Sequence, residues 1–202
     1  MHVVRPFFLL PQYFHEGIWR MSAKSKTVYL TFDDGPISEV TPWVLDVLKE
    51  RGVKATFFCV GDNVDKHPEI FQRILREGHR VGNHTQHHLN GFKTDTECYI
   101  EDAKSCQERV RGNLFRPPYG RAKKSQLKLL KKDYKIIYWD VLTGDYNQSL
   151  SPEQCYKNCI NNVRNGSIIV FHDSWKAKTN LYYALPKSLD WLIERGYHFG
   201  LF

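Results

Sequence analysis

Short apolar segments alternate with amphipathic segments along almost the whole chain, and this alternation limits the possible folds more than any other feature. Segments rich in β-branched and aromatic residues predict seven strands, at 27–32, 55–61, 80–85, 114–120 (a strand that runs into a loop), 135–142, 167–173 and 197–202. Segments with helical spacing of apolar residues lie between them, at 41–52, 68–78, 94–110, 122–132, 152–164 and 185–195. Strands that alternate with helices pair in parallel through right-handed crossovers. The sequence therefore predicts an α/β barrel slightly short of eight strands.

The chain has 202 residues, enough for one domain with a substantial core. No linker is visible, so we predict a single domain over residues 1–202, with a core at about 27–200 and an N-terminal extension at 1–26. Within the core, Thr41 is predicted to be the N-cap of a helix whose first residue is Pro42.

Polar side chains follow the predicted strands at the points where the strands end. They are Asp33 and Asp34, His84, Arg116, Asp145 and His172. The carboxyl ends of the strands of a parallel barrel meet on one face, which is the usual place for an active site. Turn chemistry alone does not explain so many acidic, histidine and arginine residues at these positions, so we expect them to form one site.

His84 and His88 are four residues apart, so their imidazoles can converge on one metal ion from a helical turn or a tight loop. With Asp34 they supply two nitrogens and one oxygen, the ligand set of an open catalytic zinc site. The pattern favours a metal site over separate surface or core histidines. His87 could replace one of the two geometrically, but it cannot pair with His84 at the four-residue spacing.

The adjacent carboxylates of Asp33 and Asp34 would repel each other unless something neutralises them. A metal ion would neutralise one and leave the other as general base for an attacking water. Arg116 is expected to hold that base ionised through a bidentate pair. His172, after a buried strand, can act as general acid, and Asp145 can tune its pKa.

Four motifs resemble the polysaccharide deacetylases of carbohydrate esterase family 4, the NodB-homology domain. They are TFDDG (31–35), HTxxH (84–88), RPPYG (116–120) and I-x-V-x-H (168–172). Their order and spacing fit this family across roughly residues 27–200. The resemblance implies a distorted, TIM-like (β/α) barrel with about seven parallel strands. It also implies metal-dependent hydrolysis of N-acetyl groups from an N-acetylhexosamine glycan such as peptidoglycan, chitin or a related oligosaccharide.

The resemblance also assigns roles to the motif residues. It implies that Asp34, His84 and His88 are the metal ligands, which selects His88 over His87. The metal it implies is zinc, with cobalt and nickel as alternatives.

The remaining motif positions supply the implied catalytic groups. Asp33 would be the catalytic base and Arg116 would orient it. The backbone amide of Tyr119 would stabilise the oxyanion, and Tyr119 would also contact substrate. His172, supported by Asp145, would protonate the departing amine.

One segment departs from the family pattern. The family commonly has D-x-x-D-W, whereas this chain has WDVLTGDY, which puts Leu142 and Tyr146 at the first and last positions when Asp145 is aligned. The wall of the sugar groove is therefore expected to differ from that of the family, and the motifs do not identify the glycan that serves as substrate. Tyr146 is expected to contact substrate, and Trp175 or Trp139 could supply an aromatic surface for a sugar.

Two other functions remain compatible with the sequence. One is an amidohydrolase for a small non-carbohydrate amide or formyl group, and the other is a catalytically silent glycan-binding module. The silent module is disfavoured because the chain retains both Asp33 and His172. The net charge of +7 comes from scattered lysines and arginines, so a nucleic-acid partner is not expected. We expect a monomer.

No apolar run reaches the 18 residues that a membrane-spanning helix needs, so no transmembrane segment is predicted. Residues 1–14 lack the apolar core and cleavage site of a signal peptide, which predicts a cytoplasmic protein, or a periplasmic or secreted one if a leader was removed. The five cysteines include no CxxC pair and are predicted to be small buried thiols.

Overall fold

The structure is a computed structural model that describes residues 4–7 and 9–202. Residues 1–3 and 8, which belong to the N-terminal segment predicted not to be a signal peptide, lie outside the described residues. The described strands are β1 (Gly17–Ile18), β2 (Thr27–Asp33), β3 (Thr56–Cys59), β4 (Arg80–Asn83), β5 (Leu114–Phe115), β6 (Lys135–Ile137), β7 (Val141–Leu142), β8 (Ile168–His172) and β9 (His198–Phe199).

Helices follow most of the strands, as the alternation in the sequence predicts. They are α1 (Leu9–Tyr13), α2 (Val40–Glu50), α3 (Gly61–Lys66), α4 (Pro68–Arg76), α5 (Thr96–Gln107), α6 (Lys124–Leu130), α7 (Pro152–Ile160) and α8 (Lys178–Glu194). Among the described residues, none of these helices is both long and apolar enough to cross a bilayer. Four of the five cysteines are buried and Cys98 is exposed.

The strands pair in parallel in the order β1-β6-β5-β4-β3-β2-β8-β7, and β9 pairs with the beginning of β2. Only residues 138–140 separate β6 from β7, yet β6 pairs with β5 whereas β7 pairs with β8, on the other side of the sheet. The sheet must therefore curl so that its two ends approach each other at this segment. The predicted distorted α/β barrel is confirmed.

The segment 135–142 was predicted as one strand and is instead two. Between its two halves, the amide of Tyr138 donates to Ile18 O at 2.8 Å and the amide of Asp140 donates to Ile168 O at 3.0 Å. The segment thus changes partners in its middle, which no apolar run can indicate. Its first partner, β1, lies in the predicted N-terminal extension and was not predicted.

Helix α8 begins at Lys178, seven residues before the predicted start at Leu185. The predicted start was wrong because the helix continues through Pro186. Proline normally disfavours the interior of a helix. Burial overrides this local preference, since Leu181, Leu185 and Leu189 all lie in the main core.

The core of the barrel is built from aromatic side chains on its central strands. The Phe32 ring lies 5.0 Å from that of Phe57 and 6.2 Å from that of Phe171, centroid to centroid. All three side chains are buried, each contributing roughly 1.5–3 kcal/mol to stability through burial. These packed strands give the polar residues at their carboxyl ends a rigid support.

Candidate active site

Four of the six polar residues predicted at the strand ends line one cavity of about 410 Å³, and the other two, Arg116 and Asp145, are buried and contact Asp33 and His172. Asp33 ends β2 and His172 ends β8, while Asp34 and His84 come directly after β2 and β4. All four line the cavity together with His88. The convergence expected from the parallel order of the strands is therefore present.

Asp34, His84 and His88 form a compact cluster in which one ligand atom of each lies within 4.8 Å of the others. The Nε2 atoms of His88 and His84 lie 3.2 and 3.8 Å from Asp34 Oδ1. His84 Nδ1 is 2.7 Å from the carbonyl oxygen of Arg116, a contact that puts the proton on Nδ1 and the lone pair on Nε2. Two imidazole nitrogens and one carboxylate oxygen fit a divalent metal.

The charge states of this cluster also suit a cation. Burial lowers the pKa of His84 to about 4, so its imidazole is neutral at pH 7, the form that binds a metal. Burial opposes ionisation of Asp34, but the hydrogen bond with His88 and the charges of His172 and His88 hold its pKa below the usual range. Asp34 is therefore a carboxylate at neutral pH.

His87 lies apart from the cluster. Its side chain is 64% exposed, and its Nδ1 is 2.5 Å from Asp102 Oδ1. The other oxygen of Asp102 accepts the backbone amides of Gln86 and His87 at 2.9 and 3.1 Å. Asp102 thus anchors the loop that carries His84 and His88. Asp102 was not predicted to support the site, because the sequence pattern of a single acidic residue in a polar helix does not indicate a role.

Arg116 is fully buried and contacts Asp33 directly. Its Nη1 donates to Asp33 Oδ1 at 2.6 Å and to Thr31 Oγ1 at 2.8 Å. The predicted bidentate pair is wrong, because Nε and Nη2 instead donate to the carbonyl oxygens of Ile137 and Tyr138. Burial lowers the pKa of Arg116, although the charge of Asp33 opposes this effect. The guanidinium is held from several sides and fixes one oxygen of Asp33.

His172, which lines the cavity, forms a second ion pair with Asp145, which is buried. His172 Nδ1 lies 2.8 Å from Asp145 Oδ1, and the His172 amide donates to Asp145 Oδ2 at 2.7 Å. Burial works against the charged imidazole, but the charge and hydrogen bond of Asp145 raise the pKa of His172 to about 9. At neutral pH His172 is therefore a cation, and its Nε2 is the nitrogen not engaged by Asp145.

Non-glycine residues with left-handed backbone conformations cluster around this cavity. In the described part of the chain they are Asp34, Thr85, His88 and Tyr119, with φ of 86°, 64°, 54° and 60°. Such conformations cost of order 1–3 kcal/mol each and persist where the surrounding structure enforces them, which is most often at functional sites. Three of the four are residues that the sequence analysis assigned to the site.

Asp173 is a buried residue that the sequence analysis missed. Its Oδ1 accepts the Gly35 amide at 3.1 Å, its Oδ2 accepts Thr41 Oγ1 at 2.6 Å, and its own amide donates to Asp33 O at 3.1 Å. It therefore ties the loop after β2, which carries Asp34, to β8. The predicted N-cap role of Thr41 is wrong, because α2 already begins at Val40 and the Thr41 hydroxyl donates to Asp173.

We expect Asp173→Ala to weaken zinc binding by about tenfold, since groups that orient metal ligands typically contribute that much. Asp173→Asn is the matched control, because it keeps an oxygen acceptor of the same shape and should retain most of the affinity. Calorimetric titration of chelated protein with zinc measures both. Equal affinities for the alanine variant and the unaltered protein would contradict a positioning role for Asp173.

The residues predicted to contact substrate separate into two groups. Tyr119 and Tyr146 line the cavity, as does Trp139. Trp175 is 51% exposed and is not among the residues lining the cavity, so its contact with a sugar remains a prediction. Asp140, five positions before Asp145, is buried away from the cavity, where it pairs with Arg164 at 2.6 Å.

The chain is similar to known proteins over most of its length. The sequence profile of the family described as polysaccharide deacetylase matches residues 20–135. A peptidoglycan-N-acetylglucosamine deacetylase of Bacillus cereus is 40% identical over 154 residues, covering 73% of this chain and 56% of the relative. This chain thus spans little more than half the length of that relative.

Two further comparisons cover more of both chains. The peptidoglycan-N-acetylmuramic acid deacetylase PdaA of Bacillus subtilis is 33% identical over 196 residues, which cover 92% of this chain and 73% of PdaA. The crystal structure of the Bc1960 peptidoglycan N-acetylglucosamine deacetylase superposes with a TM-score of 0.87 at 33% identity, covering 96% of this chain and 94% of that one.

Proposed function

Because this chain belongs to the polysaccharide deacetylase family, we propose that it is a metal-dependent hydrolase that removes N-acetyl groups from an N-acetylhexosamine glycan. The observation that carries this proposal is the cluster of Asp34, His84 and His88 beside Asp33 and His172 in one cavity. A carboxylate held by an arginine and an imidazolium held by a carboxylate are the base and acid that amide hydrolysis needs. The names of the relatives support a glycan as substrate.

Asp34, His84 and His88 would hold the metal, for which we propose zinc because two imidazoles and one carboxylate are typical of catalytic zinc. When bound there, zinc would supply Lewis-acid polarisation of the acetamide carbonyl. His84 enters this role in the correct tautomer, since its Nδ1 is engaged by Arg116 O.

Asp33 would remove a proton from the attacking water. Arg116 occupies Oδ1 of Asp33, so Oδ2 is the oxygen that would accept the proton. The hydrogen bonds from Arg116 to main-chain carbonyls keep the guanidinium in place when the charge of Asp33 changes. The ion pair therefore orients the Asp33 carboxylate through Oδ1 and leaves Oδ2 available to accept a proton.

His172 would donate the proton that the departing amine requires. Its Nδ1 proton is held by Asp145, so the proton on Nε2 is the one transferred. Tyr119 would place its backbone N–H towards the oxyanion of the tetrahedral intermediate, a role that its position on the cavity wall and its φ of 60° support.

Asp145→Asn is expected to move the alkaline limb of the kcat/KM profile to lower pH by about one unit or more, the equivalent of losing one charged hydrogen bond. Asp145 raises the pKa of His172, and a general acid works only while it is protonated. Without the negative charge, His172 loses its proton at lower pH and activity declines earlier. Initial rates measured from pH 6 to 10 test this. An unchanged alkaline limb would exclude His172 as the acid that Asp145 tunes.

Acetate release tests the function itself. The chelated protein is supplied with Zn²⁺, Co²⁺ or Ni²⁺ and incubated with chitotetraose or with peptide-free peptidoglycan glycan. We expect acetate and free amines in equal amounts with at least one glycan. If the metal-loaded protein releases no acetate from any N-acetylated glycan, the proposal fails, and turnover of a small amide or formyl compound would identify a different amidohydrolase.

A further inference from the structure

A second cavity of about 760 Å³ opens beside the catalytic cavity. We call it the side compartment. The residues that line both cavities are Tyr119, Gly120, Arg121, Trp139, Leu142 and Tyr146. Because the same residues line both cavities, the two cavities adjoin. One molecule can therefore occupy both, with its reacting group in the catalytic cavity and the adjoining group in the side compartment.

The far wall of the side compartment comes from the N-terminal part of the chain. Pro6, Phe7, Leu10, Phe14 and Trp19 contribute to it, and all precede residue 20, where the match to the family profile begins. These five residues therefore lie outside the region that the family profile matches, whereas Phe92, Tyr119, Gly120 and Arg121 lie within it.

Aromatic rings give the side compartment rigid, flat surfaces. The Trp19 ring stacks on Tyr138 with centroids 4.1 Å apart, and its Nε1 donates to Phe14 O at 3.2 Å. Trp139 lies 6.2 Å from Trp19, and Phe92 on the rim is 51% exposed. Flat aromatic surfaces suit the C–H faces of a sugar ring, which are apolar, while the ring edges keep their polar contacts.

The charge in the side compartment has one sign. Arg121 is the single charged residue among the described residues that line it, and its guanidinium makes no ion pair with any described residue. Lys176 adds a second cation in the catalytic cavity, whose carboxylates, Asp33 and Asp34, already face Arg116 and the histidines. An exposed arginine without an acidic partner is complementary to an anion, and its planar guanidinium matches a carboxylate in particular.

We propose that the side compartment binds the sugar next to the one that is deacetylated, and that Arg121 pairs with a carboxylate carried by that sugar. The inference rests on the proposed function and narrows its substrate class to acidic amino-sugar glycans, as opposed to neutral chitin-type chains. The pair forms away from the scissile amide, so it stabilises the bound substrate and the transition state equally. It should therefore lower KM and leave kcat nearly unchanged.

Two glycans that differ in charge alone test the inference. One is a tetrasaccharide of alternating N-acetylglucosamine and N-acetylmuramic acid, and the other is the same tetrasaccharide with each carboxylate converted to a carboxamide. We expect the KM of the carboxylate form to be about five- to tenfold lower at low salt, the scale of a partly exposed charged pair. Because salt screens an exposed pair, the difference should shrink at high ionic strength.

Arg121→Gln should bring the ratio of the two KM values close to one. Arg111→Gln is the matched control, because Arg111 is exposed and lines neither cavity, so it should keep the ratio of the unaltered protein. Phe92→Ala tests the aromatic wall separately, and it should raise KM for the tetrasaccharide severalfold while the charge ratio remains.

The possible failures can be distinguished. Acetate release from both glycans with equal KM in the unaltered protein would overturn this inference and leave the proposed function intact. The same conclusion would follow if Arg121→Gln and Arg111→Gln kept the same ratio. If the zinc-loaded protein releases acetate from chitotetraose but from neither tetrasaccharide, this inference fails and the proposed function stands. If it releases acetate from none of the three glycans, the proposed function fails, and this inference with it.

Discussion

Asp33→Asn is expected to lower kcat for acetate release by about a thousandfold, within the range that a general base contributes. The amide keeps the shape of the side chain and can still accept the hydrogen bond from Arg116, but it cannot take a proton from water. Asp33 lies outside the cluster of Asp34, His84 and His88, so zinc binding should persist.

The measurement pairs single-turnover acetate release with the zinc content of the purified variant. Asp34→Asn is the matched control, because it changes the neighbouring carboxylate, which lies in the metal cluster, and it should lose zinc as well as activity. Loss of zinc from Asp33→Asn with retention in Asp34→Asn would show that the two aspartates have exchanged roles.

His88→Ala is expected to weaken zinc binding by well over tenfold, since it removes one of three protein ligands. Its imidazole Nε2 lies 3.2 Å from Asp34 Oδ1, whereas the neighbouring His87 turns to Asp102. His87→Ala is therefore the control for a histidine change in the same loop, and it should bind zinc as the unaltered protein does.

Calorimetric titration with zinc and metal analysis after dialysis give the affinities and the stoichiometry. Unchanged zinc affinity in His88→Ala, or a large loss in His87→Ala, would place the nitrogen ligand elsewhere in the loop. Because His87 is largely exposed, its replacement should not disturb folding.

The convergence of the site could be predicted from local sequence patterns because the parallel strands of a barrel all point the same way, so residues that follow each strand lie on one face. Each buried strand ends at the same face, so polar residues at the ends of β2, β4, β5 and β8 had to come together. The spacing of His84 and His88 indicated their convergence but left His87 as a geometric alternative. The resemblance to the family selected His88, and its metal-binding role remains to be tested.

Other parts of the site depend on contacts that are distant in sequence. Asp173 ties Gly35 and Thr41 across 138 and 132 positions of the chain, so no local motif reveals its role. The Arg116 guanidinium was expected to form a bidentate ion pair with Asp33. Main-chain carbonyls of Ile137 and Tyr138, which depend on where β6 ends, take two of its nitrogens.

The division of residues 135–142 into β6 and β7 also could not be predicted, because it depends on contacts that are distant in sequence. A continuous apolar run over 135–142 is equally compatible with one strand or two, and the exchange of partners at Tyr138 to Asp140 follows from closure of the barrel. The need for glycine at position 17 likewise depends on a residue distant in sequence, because a Cβ there would lie 2.3 Å from the Tyr138 ring. The side compartment, whose far wall comes from this N-terminal part, was invisible to the sequence analysis.

We propose above all that one divalent metal held by Asp34, His84 and His88 makes this chain a glycan deacetylase. The most direct measurement is a titration of the chelated protein with zinc, in which bound metal and the rate of acetate release from an N-acetylated glycan are recorded together. We predict that the rate rises from the background in proportion to bound zinc and reaches its plateau at one zinc per chain. A full rate in the presence of chelator, or a rate that does not follow bound zinc, would contradict the account.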